Sequence, residues 1–401
     1  MIITHLSATN WRNFRQIDVP LSERQFIVGP NASGKSNFLD IFRFLRDIAK
    51  NERGGLQEAV ASRGSVATIQ SLVVEQDAEI AIEIRLADTS ESAETWRYAV
   101  GFRQAPQSQS YSHRYFASLT HERVWKESKL LIDRPDTEDE KDPDRLIRTT
   151  LESTNHDFQE LVDFFHSIAY LHLVPQLLRF PDLITVDSVE TDTNAQRSGS
   201  RSRSKSTRTQ LGHGLLERIA NVDEDIRCSR IKTIEEALKI AMPQLERLEF
   251  KHDEAGRPHL LVRCSHWHPS SPAQHEEQFS DGTLRLLGLL WALLESDSVL
   301  LLEEPELSLH VGIVSQLAYL IYKMQSSKNQ QVLVSTHSDV LLDQADIDGT
   351  EVLMLTPTKS GTEVKIASDN EAVKQLLEAD FTVGEVVLPR SSSENVKEMG
   401  Q

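Results

Sequence analysis

The strongest chemical signal in the chain is the segment Gly29–Ser36 (GPNASGKS), which matches the pattern G-x-x-x-x-G-K-[ST] in full. Its glycines let successive backbone N–H groups turn towards phosphate oxygens, and a helix that starts here adds its positive end. Lys35 can reach the β- and γ-phosphates of a nucleotide, and the Ser36 hydroxyl can ligate Mg²⁺. The segment therefore predicts a nucleotide site whose contacts come from Asn31, Ala32, Ser33, Gly34, Lys35, Ser36 and Asn37.

A second signal is the pair of adjacent carboxylates Glu303 and Glu304, which follows the apolar run Leu300–Leu302. Carboxylates at the carboxyl end of a buried parallel strand lie where open α/β sheets bind their ligands. Glu303 is predicted to help hold Mg²⁺, directly or through water, and Glu304 to orient and deprotonate an attacking water molecule. The alternative is a solvated strand end that has no chemical role.

Two weaker motifs lie before and after these carboxylates. His337 follows the apolar run 331–335 and can contact a γ-phosphate, although a lone histidine at such a place is more often a packing or capping residue. Ser280 precedes an apolar helix and can serve as its N-cap, which alone would account for it. The functional alternative for Ser280 is a helix N-terminus directed at an anion, for instance a phosphate held by another subunit.

These residues need strands and helices at particular places. Arg24–Val28 is predicted as a buried strand before the glycine loop, and residues 37–45 have helical spacing of apolar positions after it. Segment 298–302 is an apolar run typical of a strand that is covered on both faces of a parallel sheet, and 331–335 is predicted as a second buried strand. The remaining elements are predicted as helices over 283–294 and near 311–324, antiparallel strands within 67–101, and an acidic loop over 133–144.

The composition excludes several classes of protein. The 401 residues carry 43 Lys and Arg against 61 Asp and Glu, a net charge of −18 that argues against coating of nucleic acid by the whole surface. The two cysteines, Cys228 and Cys264, cannot form a disulfide framework and fit a reducing compartment. Neither a signal peptide nor an uninterrupted apolar span is found, so we expect a cytoplasmic globular protein without a membrane partner.

Two further segments have more than one interpretation. Thr191–Gln210 is biased towards Ser and Arg, and it is either a contact for nucleic-acid phosphates or a solvated flexible loop. Cys264, His266 and His268 would share one strand face with His275 nearby, which allows a zinc site. Because this spacing is not that of a standard zinc site, ordinary strand residues are the default interpretation.

Taken in order, the motifs resemble those of the SMC/RecF/OLD-like branch of the ABC-type ATPases. Asn10–Arg15 is similar to the turn after that branch's first strand, Gly29–Ser36 to its Walker A motif, and Ser280–Arg285 to its signature motif. Leu300–Glu306 is similar to its Walker B motif, and His337 to its switch histidine. The resemblance implies an α/β fold: a P-loop ABC-type ATPase head with an antiparallel β subdomain and an inserted, mostly helical lobe.

The resemblance also implies an activity and its cofactors. It implies hydrolysis of ATP to ADP and phosphate with Mg²⁺, with catalytic roles for Lys35, Glu304 and His337. A glutamine would join Ser36 and Glu303 as a metal ligand, and Gln176 is our candidate, ahead of Gln57 and Gln70.

The resemblance further implies that two copies act together, as a homodimer or a higher even-numbered assembly. Ser280 and Gly282 would then contact the γ-phosphate of the ATP held by the partner copy. DNA is a further candidate partner, with Arg53 and Arg63 as candidate contacts.

The spacing between the motifs limits how the chain can be divided into domains. Ser36 and Ser280 are 244 positions apart, more than in transporter subunits, and no sustained heptad pattern supports the long arms of SMC proteins. We therefore predict the N-terminal part of the head at 1–104, a compact lobe with a mobile Ser/Arg loop at 105–260, and the C-terminal part at 261–401.

The expected biological role follows from what lies after the switch histidine. Only 64 residues follow His337, too few for the Toprim nuclease domain of OLD-type enzymes, so a separate nuclease or toxin effector is expected. The prediction is nucleotide-driven head dimerisation that controls a DNA-related process, with anti-phage defence favoured. The alternatives are a RecF-type repair clamp and an ATP-locked scaffold with incidental turnover. A transporter subunit is disfavoured.

Overall fold

The computed structural model describes residues 1–50, 55–71, 73, 78–105, 117–152, 156–172, 215–265, 272–296, 298–326, 328, 330–344, 347–379 and 381–391. Within these residues the strands are β1 (Ile2–Trp11), β2 (Phe14–Pro20), β3 (Arg24–Val28), β4 (Ile80–Ala87), β5 (Trp96–Gln104), β6 (Ala117–Lys126), β7 (Lys129–Arg134), β8 (Ala169–Leu171), β9 (Leu245–His252), β10 (Pro258–Cys264), β11 (Gln274–His275), β12 (Val299–Glu303), β13 (Gln331–Thr336), β14 (Val352–Thr358) and β15 (Gly361–Ile366).

The helices alternate with these strands most regularly in the last third of the chain. They are α1 (Lys35–Ala49), α2 (Gly55–Ala61), α3 (Val66–Ile69), α4 (Thr137–Lys141), α5 (Gln159–Ser167), α6 (Leu215–Ala220), α7 (Glu224–Ala241), α8 (Asp281–Glu295), α9 (Val311–Ser326), α10 (Asp339–Leu342), α11 (Glu371–Leu377) and α12 (Val383–Ser391). None of these described helices combines the length and the apolarity that a membrane crossing requires.

The chain forms two compact units. The first comprises Met1–Ile168, Asp297–Leu301 and Asn329–Gln401, and the second comprises Ala169–Ser296 and Leu302–Lys328. Each unit therefore combines segments that are far apart in the sequence.

The first unit contains a sheet in which the glycine loop's strand is central. Its strands run in the order β15-β14-β3-β13-β12, where β3 is parallel to both β13 and β14. Strands β3 and β13 are buried along their whole length, as the apolar runs predicted. Because Val28 and Thr336 are paired in register, the segments that follow β3 and β13 leave the sheet at the same edge.

The first unit also contains a six-stranded antiparallel sheet in the order β2-β1-β4-β5-β6-β7. A buried amide joins it to the other sheet of this unit: Gln331 at the start of β13 bonds the N–H and the C=O of Ile3 on β1, at 2.9 and 2.7 Å. Strands β6 and β7 lie within 105–260, the range predicted as a mostly helical lobe, and they extend this sheet from β5 instead.

The acidic segment 133–144 is folded around a buried arginine, so its prediction as a loop is wrong. It contains the end of β7, helix α4 and the start of a 3₁₀ turn, Pro143–Ile147. The Arg134 guanidinium donates to both oxygens of Asp139, each at 2.9 Å, and to Glu122 Oε2 at 3.1 Å. Burial raises the pKa of Glu122 even though Thr150 and Arg134 favour its ionised form. The composition suggested a solvated loop because the segment has no apolar pattern. A single buried cation can nevertheless order several carboxylates.

Replacing Arg134 should destabilise the first unit strongly. Arg134→Met leaves the buried carboxyl groups of Glu122 and Asp139 without their cation, which costs about 3–5 kcal/mol. The free energy of unfolding in urea measures this cost. Arg123→Met, which removes an exposed pair with Asp133, is the control and should cost no more than about 1 kcal/mol. Equal losses in the two variants would contradict the structural role of Arg134.

The second unit has its own small sheet and a strongly apolar helix, α8. Its strands run in the order β11-β10-β9, all antiparallel. Helix α8 is buried over Leu284–Leu293, and Ser280 caps its N-terminus by accepting a hydrogen bond from the Thr283 N–H.

Candidate functional site

The glycine loop of the first unit joins β3 to α1. Gly34 ends the loop with φ of 100°, a left-handed conformation that glycine adopts without strain. A Cβ at Gly34 would also collide with the side-chain amide of Asn13. The structure therefore requires glycine at this position. The loop follows strand β3 and leads into helix α1, as the motif predicted.

Lys35 lies inside this loop. Its ammonium group donates to the carbonyl oxygens of Gly29, at 2.9 Å, and Pro30, at 3.4 Å, and only 7% of the residue is exposed. Because both partners are backbone atoms of the same loop, the positive charge is held where phosphate oxygens would approach the N-terminus of α1.

The other predicted contacts of the loop differ in exposure. Asn31, Ala32 and Ser36 are exposed, Gly34 and Asn37 are half-buried, and Ser33 is buried. The Ser33 N–H donates to the carbonyl oxygen of Pro30 at 3.1 Å within the loop, and a phosphate contact from Ser33 stays a prediction. Ser36 is the second residue of α1, and its role as a magnesium ligand stays a prediction.

Asn13 fastens the loop to its surroundings. Its Nδ2 donates to the carbonyl oxygen of Ser33 at 2.7 Å and to Thr362 Oγ1 at 2.8 Å. Its Oδ1 accepts from Asn37 Nδ2 at 2.7 Å. The sequence indicated Asn13 only as part of a turn that resembles one in the family. A polar side chain at the turn between β1 and β2 was the available signal, but its partners come from three separate segments.

Removing the Asn13 amide should loosen the loop and weaken nucleotide binding. Asn13→Ala deletes three hydrogen bonds around Ser33 and Asn37, and we expect the affinity for ATP to fall about tenfold. Titration with a fluorescent ATP analogue measures the change. Arg15→Ala alters an exposed neighbour on β2 and should bind like the wild type. Equal affinities for Asn13→Ala and Arg15→Ala would show that the hydrogen bonds of Asn13 do not contribute to nucleotide binding.

His337 lies at the same sheet edge as the loop, since it follows Thr336 and Thr336 pairs with Val28. Its side chain is exposed, so it is not a core packing residue. Ser338 makes the capping bond of α10, where its Oγ accepts from the Leu341 N–H at 3.2 Å. The role of His337 in contacting a γ-phosphate stays a prediction.

A cluster of charges braces α1 against α2 in the same unit. Arg63 donates to both oxygens of Asp40, at 3.0 and 2.9 Å, and to Asp47 at 3.1 Å. Burial opposes ionisation of Asp40, but Arg63, Arg43 and Arg12 hold its pKa below the usual value. Since only 6% of its side chain is exposed, Arg63 does not face DNA as the resemblance implied.

The two carboxylates belong to the second unit. Glu303 ends β12, and the Tyr170 hydroxyl donates a hydrogen bond to its Oε2. Glu304 follows in a left-handed conformation, with φ of 44°. Strain of this kind in a residue other than glycine is concentrated at functional sites. The carbonyl oxygen of Glu304 accepts from Arg285 at 3.4 Å.

The signature-like motif lies in the same unit. The side chain of Ser280 makes the capping bond, so the structural explanation for this residue holds, and its contact with a partner's phosphate stays a prediction. A Cβ at Gly282 would lie 2.8 Å from the carbonyl oxygen of Ser308, which explains why the backbone needs a glycine here.

The structure does not favour any one of the three glutamines that are candidates for the metal ligand. Gln176, Arg53 and the Ser/Arg segment 191–210 lie outside the described residues. Gln57 is engaged at the start of β6, where it bonds the N–H and the C=O of Ala117 at 3.1 and 2.8 Å. Gln70 donates to the carbonyl oxygen of Ala78 at 3.2 Å.

The phosphate-binding loop, together with the parallel strands β3 and β13 at whose edge it lies, defines the class of the chain as a P-loop protein. Residues 26–343 match a family described as "AAA domain, putative AbiEii toxin, Type IV TA system". The chain belongs to this AAA family.

Solved structures resemble the chain at low sequence identity. The Smc head domain with an extended coiled coil from Pyrococcus furiosus, bound to the C-terminal domain of ScpA, is 15% identical with a TM-score of 0.50, covering 95% of this chain and 100% of that one. The SMC head domain from Thermotoga maritima is 14% identical with a TM-score of 0.45, covering 91% and 99% of the two chains. The likeness to the Pyrococcus furiosus structure supports the fold of this chain alone. The search of curated proteins found no match.

Proposed function

We propose that this chain binds ATP with Mg²⁺ and hydrolyses it to ADP and phosphate. The observation that carries the proposal is the phosphate-binding loop, in which Gly34 and Asn13 fix the backbone and the Lys35 ammonium donates to the carbonyl oxygen of Gly29. In the proposal, Ser36, Glu303 and Gln176 hold the magnesium ion, Glu304 activates water, and His337 contacts the γ-phosphate. The metal supplies charge neutralisation on the β- and γ-phosphates when bound.

The proposal includes self-association. Two copies, or a higher even number, would close when ATP is bound, with Ser280 and Gly282 of one copy contacting the γ-phosphate held by the other. The capped N-terminus of the long helix α8 supports this role, since helix N-termini favour anions. The inserted lobe at 105–260 remains part of the proposal, although β6 and β7 restrict it to the part of the range after them.

We place this ATP-driven clamp in anti-phage defence in the cytoplasm, where it would control a separate nuclease or toxin effector in a DNA-related process. The support is the family description, which names a toxin and a toxin–antitoxin system. The Smc head from Pyrococcus furiosus was solved with a bound protein partner, which supports partner binding by this type of fold. A RecF-type repair clamp and an ATP-locked scaffold are the alternatives.

Affinity purification distinguishes these roles. Tagged Glu304→Gln is expressed in the native host and purified with ATP and Mg²⁺, with tagged Lys35→Ala as the control that binds nucleotide weakly. A nuclease or toxin recovered in stoichiometric amounts with Glu304→Gln alone supports the defence role. Recovery of only the chain itself and DNA supports the repair clamp. A wild-type turnover that is very slow and unchanged by DNA supports the scaffold.

A further inference from the structure

The small sheet of the second unit brings two histidines to one face. Strands β10 and β11 pair with Leu261 opposite His275. Because side chains alternate along a strand, His259 shares the face of Leu261 and lies diagonally across from His275. The two imidazole rings are 5.1 Å apart between their centroids.

The next residue along the chain adds a carboxylate to this pair. Glu276 is buried, with 4% of the residue exposed, and its Oε1 lies 2.8 Å from His259 Nδ1. Its Oε2 accepts from the Leu260 N–H at 2.9 Å, which fixes the carboxylate on β10. One donor atom from each of His259, His275 and Glu276 lies within 4.8 Å of the other two.

We propose that His259, His275 and Glu276 bind a divalent transition-metal ion of the zinc type. Two imidazoles and a carboxylate are donors that zinc prefers. Bonds of about 2.0–2.2 Å place the donors of a tetrahedral ion roughly 3.3–3.6 Å apart, so the cluster closes by a small movement. The exposed His275 side chain can supply that movement, and its exposure gives the ion a path from solvent.

The charge around the cluster also suits a cation. Asp253 Oδ2 lies 3.6 Å from His259 Nε2. Arg257 offsets part of that charge through its own bond to Asp253 at 2.9 Å.

The donor set differs from the one that the sequence suggested. Cys264 is buried on the opposite face of β10, together with Leu260 and Val262, so it cannot join His275 around one ion. His266 and His268 lie outside the described residues. A cluster of His259, His275 and Glu276 was missed because His259 is 16 residues from its nearest partner in the sequence.

The proposed ion has a structural consequence for the signature-like motif. Glu276 begins the 3₁₀ turn Glu276–Gln278, and Ser280, the N-cap of α8, follows two residues later. An ion on His259 and Glu276 would therefore fix the segment that leads into α8 to strand β10.

Zinc binding by the full chain tests the proposal independently of ATP. Chelator-treated protein is titrated with zinc alone, and we expect one ion per chain. His275→Ala should weaken binding at least about tenfold, and His259→Ala with His275→Ala should abolish it. Since His275 is exposed, the single variant should keep the wild-type circular dichroism spectrum. His252→Ala, at the exposed end of β9, is the matched control and should bind like the wild type.

A second donor set would give a different result. The double variant of His266 and His268 to alanine should still bind zinc, and cobalt in place of zinc should give a spectrum without a thiolate charge-transfer band. The proposal is overturned if wild-type protein binds no zinc, if His275→Ala binds it as the wild type does, or if only the His266 and His268 variant loses binding.

Discussion

Lys35→Ala should weaken ATP binding at least about 30-fold while the protein stays folded. The Lys35 ammonium donates to the carbonyl oxygens of Gly29 and Pro30 in its own loop, so the change acts first on the loop. For a bound triphosphate, the same change deletes a charge-assisted interaction worth about 2–3 kcal/mol or more, which is roughly a 30- to 150-fold loss of affinity.

Titration with a fluorescent ATP analogue measures this loss, and thermal unfolding reports on the fold. Lys50→Ala is the matched control, since Lys50 follows α1 directly and its half-buried side chain pairs with Asp47 at 2.7 Å, outside the loop. Wild-type affinity in Lys35→Ala would remove the basis for the proposed nucleotide site. A loss of similar size in both variants would point to a general effect of charge.

Glu304→Gln should bind ATP almost as the wild type does but hydrolyse it at least about 100-fold more slowly. Glutamine keeps the size of the side chain and cannot accept a proton from water, and general-base catalysis contributes about 10²–10⁴-fold to rates. The strained backbone of Glu304, with φ of 44°, is retained in this variant because only the side-chain terminus changes.

Single-turnover hydrolysis measures the chemical step, and nucleotide titration confirms binding. The control is Glu277→Gln, which removes an exposed carboxylate of the same unit and should hydrolyse ATP at the wild-type rate. Unchanged turnover in Glu304→Gln would exclude this residue as the base. If binding and hydrolysis fell together, Glu304 would instead have a role in holding the nucleotide or its metal.

Local patterns predicted the parts of the fold in which one segment determines its own structure. Strand β3 was predicted with its observed bounds, and the prediction for β13 is one residue short of the observed end. Helix α8 was predicted over 283–294 and runs from Asp281 to Glu295, because the cap at Ser280 lets the helix begin earlier. In each case a continuous apolar run, a helical period or a capping residue was present in the segment itself.

Features that depend on distant partners could not be predicted in this way. Asn13 acts through Ser33, Asn37 and Thr362, and nothing in its own neighbourhood indicates those partners. Arg134 turns an acidic stretch into ordered structure because Glu122 approaches it from another strand. Polar contacts of this kind have no periodicity, so they emerge only when the strands are placed side by side.

The position of β3 has a consequence for how the protein is made. Both strands that flank it, β13 and β14, are more than 300 residues further along the chain. During synthesis β3 therefore leaves the ribosome early. About 300 further residues must be synthesised before either of the strands with which it pairs is present. Pairing across such long separations is slow, and an apolar strand exposed in the meantime is prone to aggregation. If synthesis stops before β13, the fragment contains the whole phosphate-binding loop but lacks both strands that flank β3.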